Sequence, residues 1–123
     1  MRFASVRVVT DRFDALVDFY AELTGVAPVR LAPGFAELRL DGCTLAISSE
    51  EIINRVNGGA IVPRANRSLM IELEVDDVDG LRAAAERLGE IVQPPTTMPW
   101  GNRSMLVRDP DGAIVNIFAR PKA

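Results

Sequence analysis

Residues 69–89, LMIELEVDDVDGLRAAAERLG, decide the fold class, because they indicate one strand followed directly by one helix. A strand is predicted from Leu69 to Val75, and within it apolar and charged residues alternate from Ile71 to Val75, as is typical of a strand with one covered face. Asp76 or Asp77 can cap the following helix, which is predicted to end at Gly89. The stretch therefore predicts a strand whose apolar side packs against the helix that follows it.

The beginning of the chain repeats this order. Residues 3–25, FASVRVVTDRFDALVDFYAELTG, predict a strand and then a helix that is capped at Thr10 or Asp11 and ends at Gly25. Extended runs follow each helix, and an Asp-Gly turn joins two of them in each half, at 41–42 and at 111–112. Gly89 follows Gly25 by 64 residues. Some recurrence is expected by chance in any mixed chain, but this regularity favours a duplicated βαβββ unit.

The predicted fold is α+β, with two tandem βαβββ modules whose mixed sheets curl into an open cup with the helices outside. We expect one domain over 1–123, with module one at about 1–49, a linker at about 50–67 and module two at about 68–123. The linker contains Asn57-Gly58-Gly59 and Pro63, which break regular structure. It is expected to be irregular after one helical turn at 50–56, and it is either a simple connection or a lid.

The amino-acid composition excludes several classes of partner and of catalytic site. The 123 residues include 14 basic and 17 acidic side chains, for a net charge of −3, and no histidine. An acidic chain without a basic run argues against nucleic acid and anionic membranes as partners. The absence of histidine excludes His-dependent triads and metal sites that need imidazole. A single cysteine, Cys43, and the lack of an apolar stretch of about 18 residues predict a cytoplasmic location.

Two glutamates are predicted on the cup side of a largely buried strand. Strand alternation places Glu72 and Glu74 there and places Arg7 at the matching position of the first module. Three interpretations stay open for Glu72 and Arg7: an ion pair between the two, contact with a ligand, or a role in catalysis or in a shifted metal site. Trp100 either stacks on a planar ligand or closes the end of the core.

Several motifs in order resemble one family. They are Phe19-Tyr20 before Thr24-Gly25, residues 71–79, Pro94-Pro95, residues 99–104 and residues 108–112. Together they resemble the vicinal oxygen chelate superfamily, which contains glyoxalase I, extradiol dioxygenases, fosfomycin resistance enzymes and bleomycin resistance proteins. The resemblance covers nearly the whole chain except the linker, and it implies the fold more specifically than a function.

The resemblance also implies positions for a metal. In metal-dependent members the metal lies in the cup, on His, Gln or Glu side chains from the first and last strands of each module. The matching residues here are Ser5, Ala46, Met70 and Asn116. None is a firm ligand for Zn²⁺, Fe²⁺, Ni²⁺ or Mn²⁺, so we expect no metal and no other cofactor.

The sequence therefore predicts a metal-independent small-molecule binding protein of this superfamily, which sequesters or senses a drug or metabolite as in antibiotic resistance. The alternative is a lyase, isomerase or dioxygenase-like enzyme with a relocated metal or with Glu72 or Glu74 as base and Arg7 stabilising an enolate. A third hypothesis is an interaction module without a small ligand. We expect an apolar or aromatic ligand and, from the resemblance, a homodimer. The predicted ligand-binding residues are Ser5, Arg7, Phe35, Ala46, Met70, Glu72, Trp100, Ile114, Asn116 and Phe118.

Overall fold

The computed structural model describes residues 1–122 and divides into two compact units, Met1–Ala65 and a second unit from Asn66 onward. Each unit contains a four-stranded mixed sheet. The α+β class with two βαβββ modules is thereby confirmed. Residues 50–65, predicted to be mostly a linker, belong to the first unit.

Module one has a parallel pair at one edge of its sheet. Its elements are β1 Ser5–Thr10, α1 Phe13–Thr24, β2 Val29–Ala32, β3 Phe35–Leu40, β4 Cys43–Ser49 and α2 Glu50–Asn57. The strand order is β1-β4-β3-β2. β1 runs parallel to β4, and the other neighbouring pairs are antiparallel.

Module two repeats this topology. Its elements are β5 Met70–Glu74, a 3₁₀ turn at Asp79–Leu81, α3 Arg82–Leu88, β6 Ile91–Thr97, β7 Arg103–Arg108 and β8 Ile114–Ala119. The order is β5-β8-β7-β6, with β5 parallel to β8. The same four-strand order in both modules is what a duplicated unit predicts.

The two faces of each sheet differ in burial. In β3, Ala36 and Leu38 are buried while Arg39 is exposed, and α1 packs on β3 and β4. In β8, Val115 and Ile117 are buried, whereas Asn116 between them is only partly covered. The predicted alternation is confirmed in both modules, and it assigns one face of each sheet to the core.

The ends of α1 show one correct and one wrong prediction. Gly25 ends the helix in the left-handed region at φ 71°, and its N–H donates to the carbonyl of Ala21. The residue before the first helical turn is Arg12, and neither Thr10 nor Asp11 takes that position. The reason is that β1 continues through Thr10, which is paired with Ser49 of β4. The Thr10 hydroxyl instead accepts the N–H of Arg12 at 2.9 Å.

The linker begins with a helix, as predicted, and this helix extends to Asn57. The Ser49 hydroxyl caps it by accepting the N–H of Ile52 at 3.3 Å, and Ile53 is buried. In module two, Asp77 accepts the N–H of Gly80 at 3.1 Å. The capping positions themselves are Val78 for the 3₁₀ turn and Leu81 for α3, without a side-chain cap, so the prediction of a cap at Asp76 or Asp77 is wrong. No helix within residues 1–122 is long and apolar enough to cross a membrane.

One exposed ion pair ties the 3₁₀ turn to β7 and should set a pH response. Arg103 Nε and Nη2 donate to the two carboxylate oxygens of Asp79 at 3.0 and 2.8 Å, and this hydrogen bonding lowers the pKa of Asp79 below 3.8. The stabilisation is therefore present above that pH and is lost as the pH falls through the lowered pKa of Asp79.

Arg103→Met should move the pKa of Asp79 back toward 3.8 in a carboxyl NMR titration. Arg108→Met, which breaks a pair with Glu90, is the control, and an unchanged titration of Asp79 in Arg103→Met would contradict the assignment.

Candidate functional site

Strand register places several predicted site residues on one face of the sheet in module one. Arg7 lies opposite Ala46, and Ala46 in turn lies opposite Glu37 of β3. Phe35 lies opposite Ser48 in the next pair of the same face. We call the face formed by Arg7, Phe35, Ala46 and Ser48 the Arg7 face.

The Arg7 side chain is held at two points within this face. Its Nη1 donates to the hydroxyl of Ser48 at 2.5 Å. Its guanidinium carbon lies 5.7 Å from the centroid of the Phe35 ring, in cation–π geometry. Ser48 is completely buried. A buried hydroxyl and an aromatic ring therefore fix the direction of this guanidinium.

Module two brings the other predicted residues together. Glu72 of β5 lies opposite Asn116 of β8, Met70 lies opposite Ile114, and Glu74 lies opposite Phe118. Residues two apart on a strand share a face, so the predicted residues of β5 and β8 form one surface. We call the surface formed by Met70, Glu72, Ile114, Asn116 and Phe118 the Glu72 face.

A chain of hydrogen bonds crosses the Glu72 face from β7 to β5. The Ser104 hydroxyl donates to Asn116 Oδ1, and Asn116 Nδ2 donates to Glu72 Oε2 at 2.8 Å. A carboxylate only accepts, so the amide must turn its NH₂ group to Glu72 and its oxygen to Ser104. Ser104 is buried. The buried hydroxyl thus fixes the amide, and the amide holds one oxygen of the carboxylate.

Glu74 differs from Glu72 because it has a cationic partner. Arg120 Nε donates to Glu74 at 3.2 Å, and the same guanidinium lies 5.7 Å from the centroid of the Phe118 ring. Among the described residues of module two, 66–122, Glu72 has no ion pair. Glu72 is therefore the uncompensated charge of this face.

The expectation that β5 is largely buried is wrong. Met70 is 44% exposed, and Glu72 and Glu74 are exposed as well. β5 is an edge strand of its sheet with β8 as its one neighbour, and the side chains of Met70, Glu72 and Glu74 project from its exposed face.

The metal positions implied by the resemblance do not form a ligand set. Ser5 lies opposite Thr44 and Met70 opposite Ile114, so neither is in register with Ala46 or Asn116. Ala46 is fully buried and offers only a methyl group. In the part of the chain that the structure describes, no three His, Cys, Asp or Glu side chains are grouped to hold a metal ion. These residues do not fit the metal of metal-dependent members.

Trp100 does not close the core, which corrects one of its two interpretations. It lies in the turn between β6 and β7, and it is 69% exposed. The turn is closed by the N–H of Met98 donating to the carbonyl of Asn102 at 2.7 Å. Stacking of Trp100 on a ligand stays a prediction, as does the pairing of Arg7 with Glu72.

Sequence reasoning missed the two buried hydroxyls that organise these faces. Ser104 lies in an otherwise apolar or charged strand, Ser48 directly follows three apolar residues of β4, and a buried serine needs a hydrogen-bond partner. The sequence did contain a signal for these two residues, which is a serine at a covered strand position. Their partners, Arg7 and Asn116, lie 41 and 12 residues away in sequence.

Comparison with known families decides the relationship. The family model described as the Glyoxalase/Bleomycin resistance protein/Dioxygenase superfamily matches residues 2–117. The chain belongs to this superfamily. A search of curated proteins found no match.

Solved structures of this superfamily share the fold. A glyoxalase/bleomycin resistance protein/dioxygenase from Nocardioides is 27% identical, with a TM-score of 0.74, and covers 100% of this chain and 85% of its own. A glyoxalase-related enzyme from Fulvimarina pelagi is 25% identical, with a TM-score of 0.81, over 98% and 88% of the two chains. A lactoylglutathione lyase from Agrobacterium tumefaciens is 22% identical, with a TM-score of 0.73, over 96% and 92%. At that identity the lyase shows the common fold alone.

Proposed function

We propose that this superfamily member is a metal-independent binding protein for a small apolar or aromatic molecule, which it sequesters or senses. The observation that carries the proposal is the donor set at the implied metal positions. Ala46 has no donor atom and is completely buried, and the Asn116 amide is already engaged by Ser104 and Glu72. Three firm protein ligands are what catalytic metal sites need, and these residues do not supply them.

The Glu72 face has the composition of a small-molecule site. Met70, Ile114 and Phe118 supply apolar surface around the hydrogen-bonded Glu72 and Asn116. Apolar walls with a few fixed polar groups are typical of such sites, since the apolar area gives affinity and the polar groups give orientation. Asn116 engages Oε2 of Glu72, so Oε1 remains to accept an N–H or O–H of a ligand.

The enzyme alternative rests on the same carboxylate acting as a base. A fixed carboxylate favours it, because general-base catalysis needs a positioned acceptor. Exposure of Glu72 to water favours binding instead, because enzymes activate carboxylates in closed, dry sites. One substitution separates the two functions.

Glu72→Gln should weaken ligand binding about tenfold to a hundredfold while leaving it measurable, because one hydrogen bond to a charged group is lost. The measurement is a thermal-shift screen of aromatic and apolar compounds, followed by calorimetry and product analysis on each compound that binds. Glu74→Gln is the matched control, since Glu74 lies on the same strand and is paired with Arg120. A compound that the protein converts, with turnover abolished by Glu72→Gln, would establish the enzyme instead.

The proposal includes a homodimer. Large apolar side chains are exposed on the outer strands of both sheets, with Leu31 on β2 at 57% and Val92 on β6 at 41%. A second copy would bury such surface and protect the strand edges.

A further inference from the structure

We infer that the Arg7 face binds an oxyanion, a carboxylate carried on an apolar body. The inference goes beyond the proposed function, because it concerns a surface of module one and not the Glu72 face. It depends on module one alone, and three observations carry it: a fixed guanidinium, the absence of a compensating carboxylate, and apolar neighbours.

The guanidinium is pre-organised. Ser48 accepts one N–H of Arg7, and Phe35 supports the planar group. Arginine carries five N–H donors in a rigid fork, so Nε and Nη2 keep donors for two oxygens of one carboxylate. Fixing the side chain before binding reduces the entropy that a ligand must overcome.

No carboxylate of module one forms an ion pair with Arg7. Its contacts within the module are a hydroxyl and a ring. Arg39 on the same face is different, because it pairs with Glu37 at 3.0 Å. Glu37 is the nearest acid in register, across Ala46, and its Oε1 is engaged by Arg39. The Arg7 face therefore carries one unpaired positive charge in a protein whose net charge is −3.

The surroundings favour an organic carboxylate over a hydrated inorganic anion. Ala46 beside the guanidinium is buried and has no acceptor, and Val9 of the same strand is 8% exposed. An apolar neighbourhood strengthens a charge-assisted hydrogen bond and rewards apolar area on the ligand. A ring attached to the carboxylate would gain from both effects.

Benzoate is the probe, with inorganic phosphate as the second anion and benzamide as the uncharged analogue. NMR titration of ¹⁵N-labelled protein should show benzoate shifting the Arg7 Nε–H and the backbone amides of Ala46 and Ser48. Benzoate should bind about tenfold more tightly than phosphate or benzamide, and Arg7→Met should lower its affinity by a similar factor. Arg7→Lys should recover only part of the affinity, because the fork is lost.

Arg55→Met is the control, since it removes an arginine of module one that is paired with Glu51 on α2 and should leave benzoate affinity unchanged. Ser48→Ala should weaken benzoate binding while leaving some binding in place, which identifies Ser48 as a positioning residue. Thermal unfolding of each variant separates lost binding from lost folding.

Equal affinity for phosphate and benzoate, shifts located elsewhere, or a benzoate affinity that survives Arg7→Met would each overturn the inference. Turnover that depends on Glu72 would contradict the proposed binding function and would not bear on the anion site of module one.

Discussion

Gly34→Ala is expected to lower the free energy of unfolding by about 3 kcal/mol, from backbone strain and a steric clash together. Gly34 connects β2 to β3 at φ 77°, in the left-handed region that side chains disfavour. A Cβ there would lie 2.7 Å from Ser49 Oγ and 2.9 Å from Ile52 Cγ1. The same substitution would disturb the cap of α2, because the Ser49 hydroxyl accepts the N–H of Ile52 and the Ser49 N–H donates to the carbonyl of Gly34.

The matched control for this prediction is Gly42→Ala. Gly42 also has a positive φ, 86°, but a Cβ there would meet nothing within 4 Å. Gly42→Ala should therefore lower the free energy of unfolding by about 1–2 kcal/mol, from backbone strain alone. Urea unfolding of the two variants measures the difference, and equal losses would show that α2 does not pack against Gly34 as described.

Asn116→Asp should produce the second large effect, because it places two carboxylates in direct contact on the Glu72 face. The amide now donates to Glu72 Oε2 at 2.8 Å, and the variant replaces that hydrogen bond with repulsion. At neutral pH we expect a loss of about 2 kcal/mol in the free energy of unfolding. A proton shared by the carboxylates at 72 and 116 raises one apparent pKa of this pair. The variant should therefore keep its stability at a pH below that at which carboxyl groups ordinarily titrate, and it should lose stability as the pH rises through the raised apparent pKa.

The double variant Glu72→Gln with Asn116→Asp provides the control. It exchanges the two chemical roles, so that the amide at 72 can donate to the carboxylate at 116 while the Ser104 hydroxyl still donates to residue 116. Most of the stability and the pH dependence of the parent should return. A single variant as stable as the parent across the pH range would show that the hydrogen-bond chain contributes nothing.

The sequence predicted the strand and helix order because its signals act locally. Gly25 ends α1 wherever the helix packs, and Asp41-Gly42 favours a hairpin turn independently of the rest of the sheet. Thr10 shows the limit of such signals. Its hydroxyl makes a local hydrogen bond, but strand pairing with Ser49 moves the start of the helix past it.

The candidate site was less predictable, because its contacts depend on long-range register. Counting from motifs placed Ser5 with Ala46, whereas the parallel pairing of β1 with β4 aligns Arg7 with Ala46 instead. Alternation identified the correct face of each strand, since a shift of two residues leaves the face unchanged. Alternation could not identify the hydrogen-bond partner of each charged side chain, which is Ser48 for Arg7 and Asn116 for Glu72.

Native mass spectrometry of tag-free protein purified without added metal shows directly whether the protein is metal-independent, because it reports whether a divalent ion is bound. Each sample would be measured as purified and again after incubation with Zn²⁺, Ni²⁺ or Mn²⁺ and desalting. We expect a mass without a bound divalent ion in every case, because Ser5, Ala46, Met70 and Asn116 do not form a ligand set. A stoichiometric divalent ion that survives desalting and is lost in Glu72→Gln would contradict the account and identify a metal site on the Glu72 face.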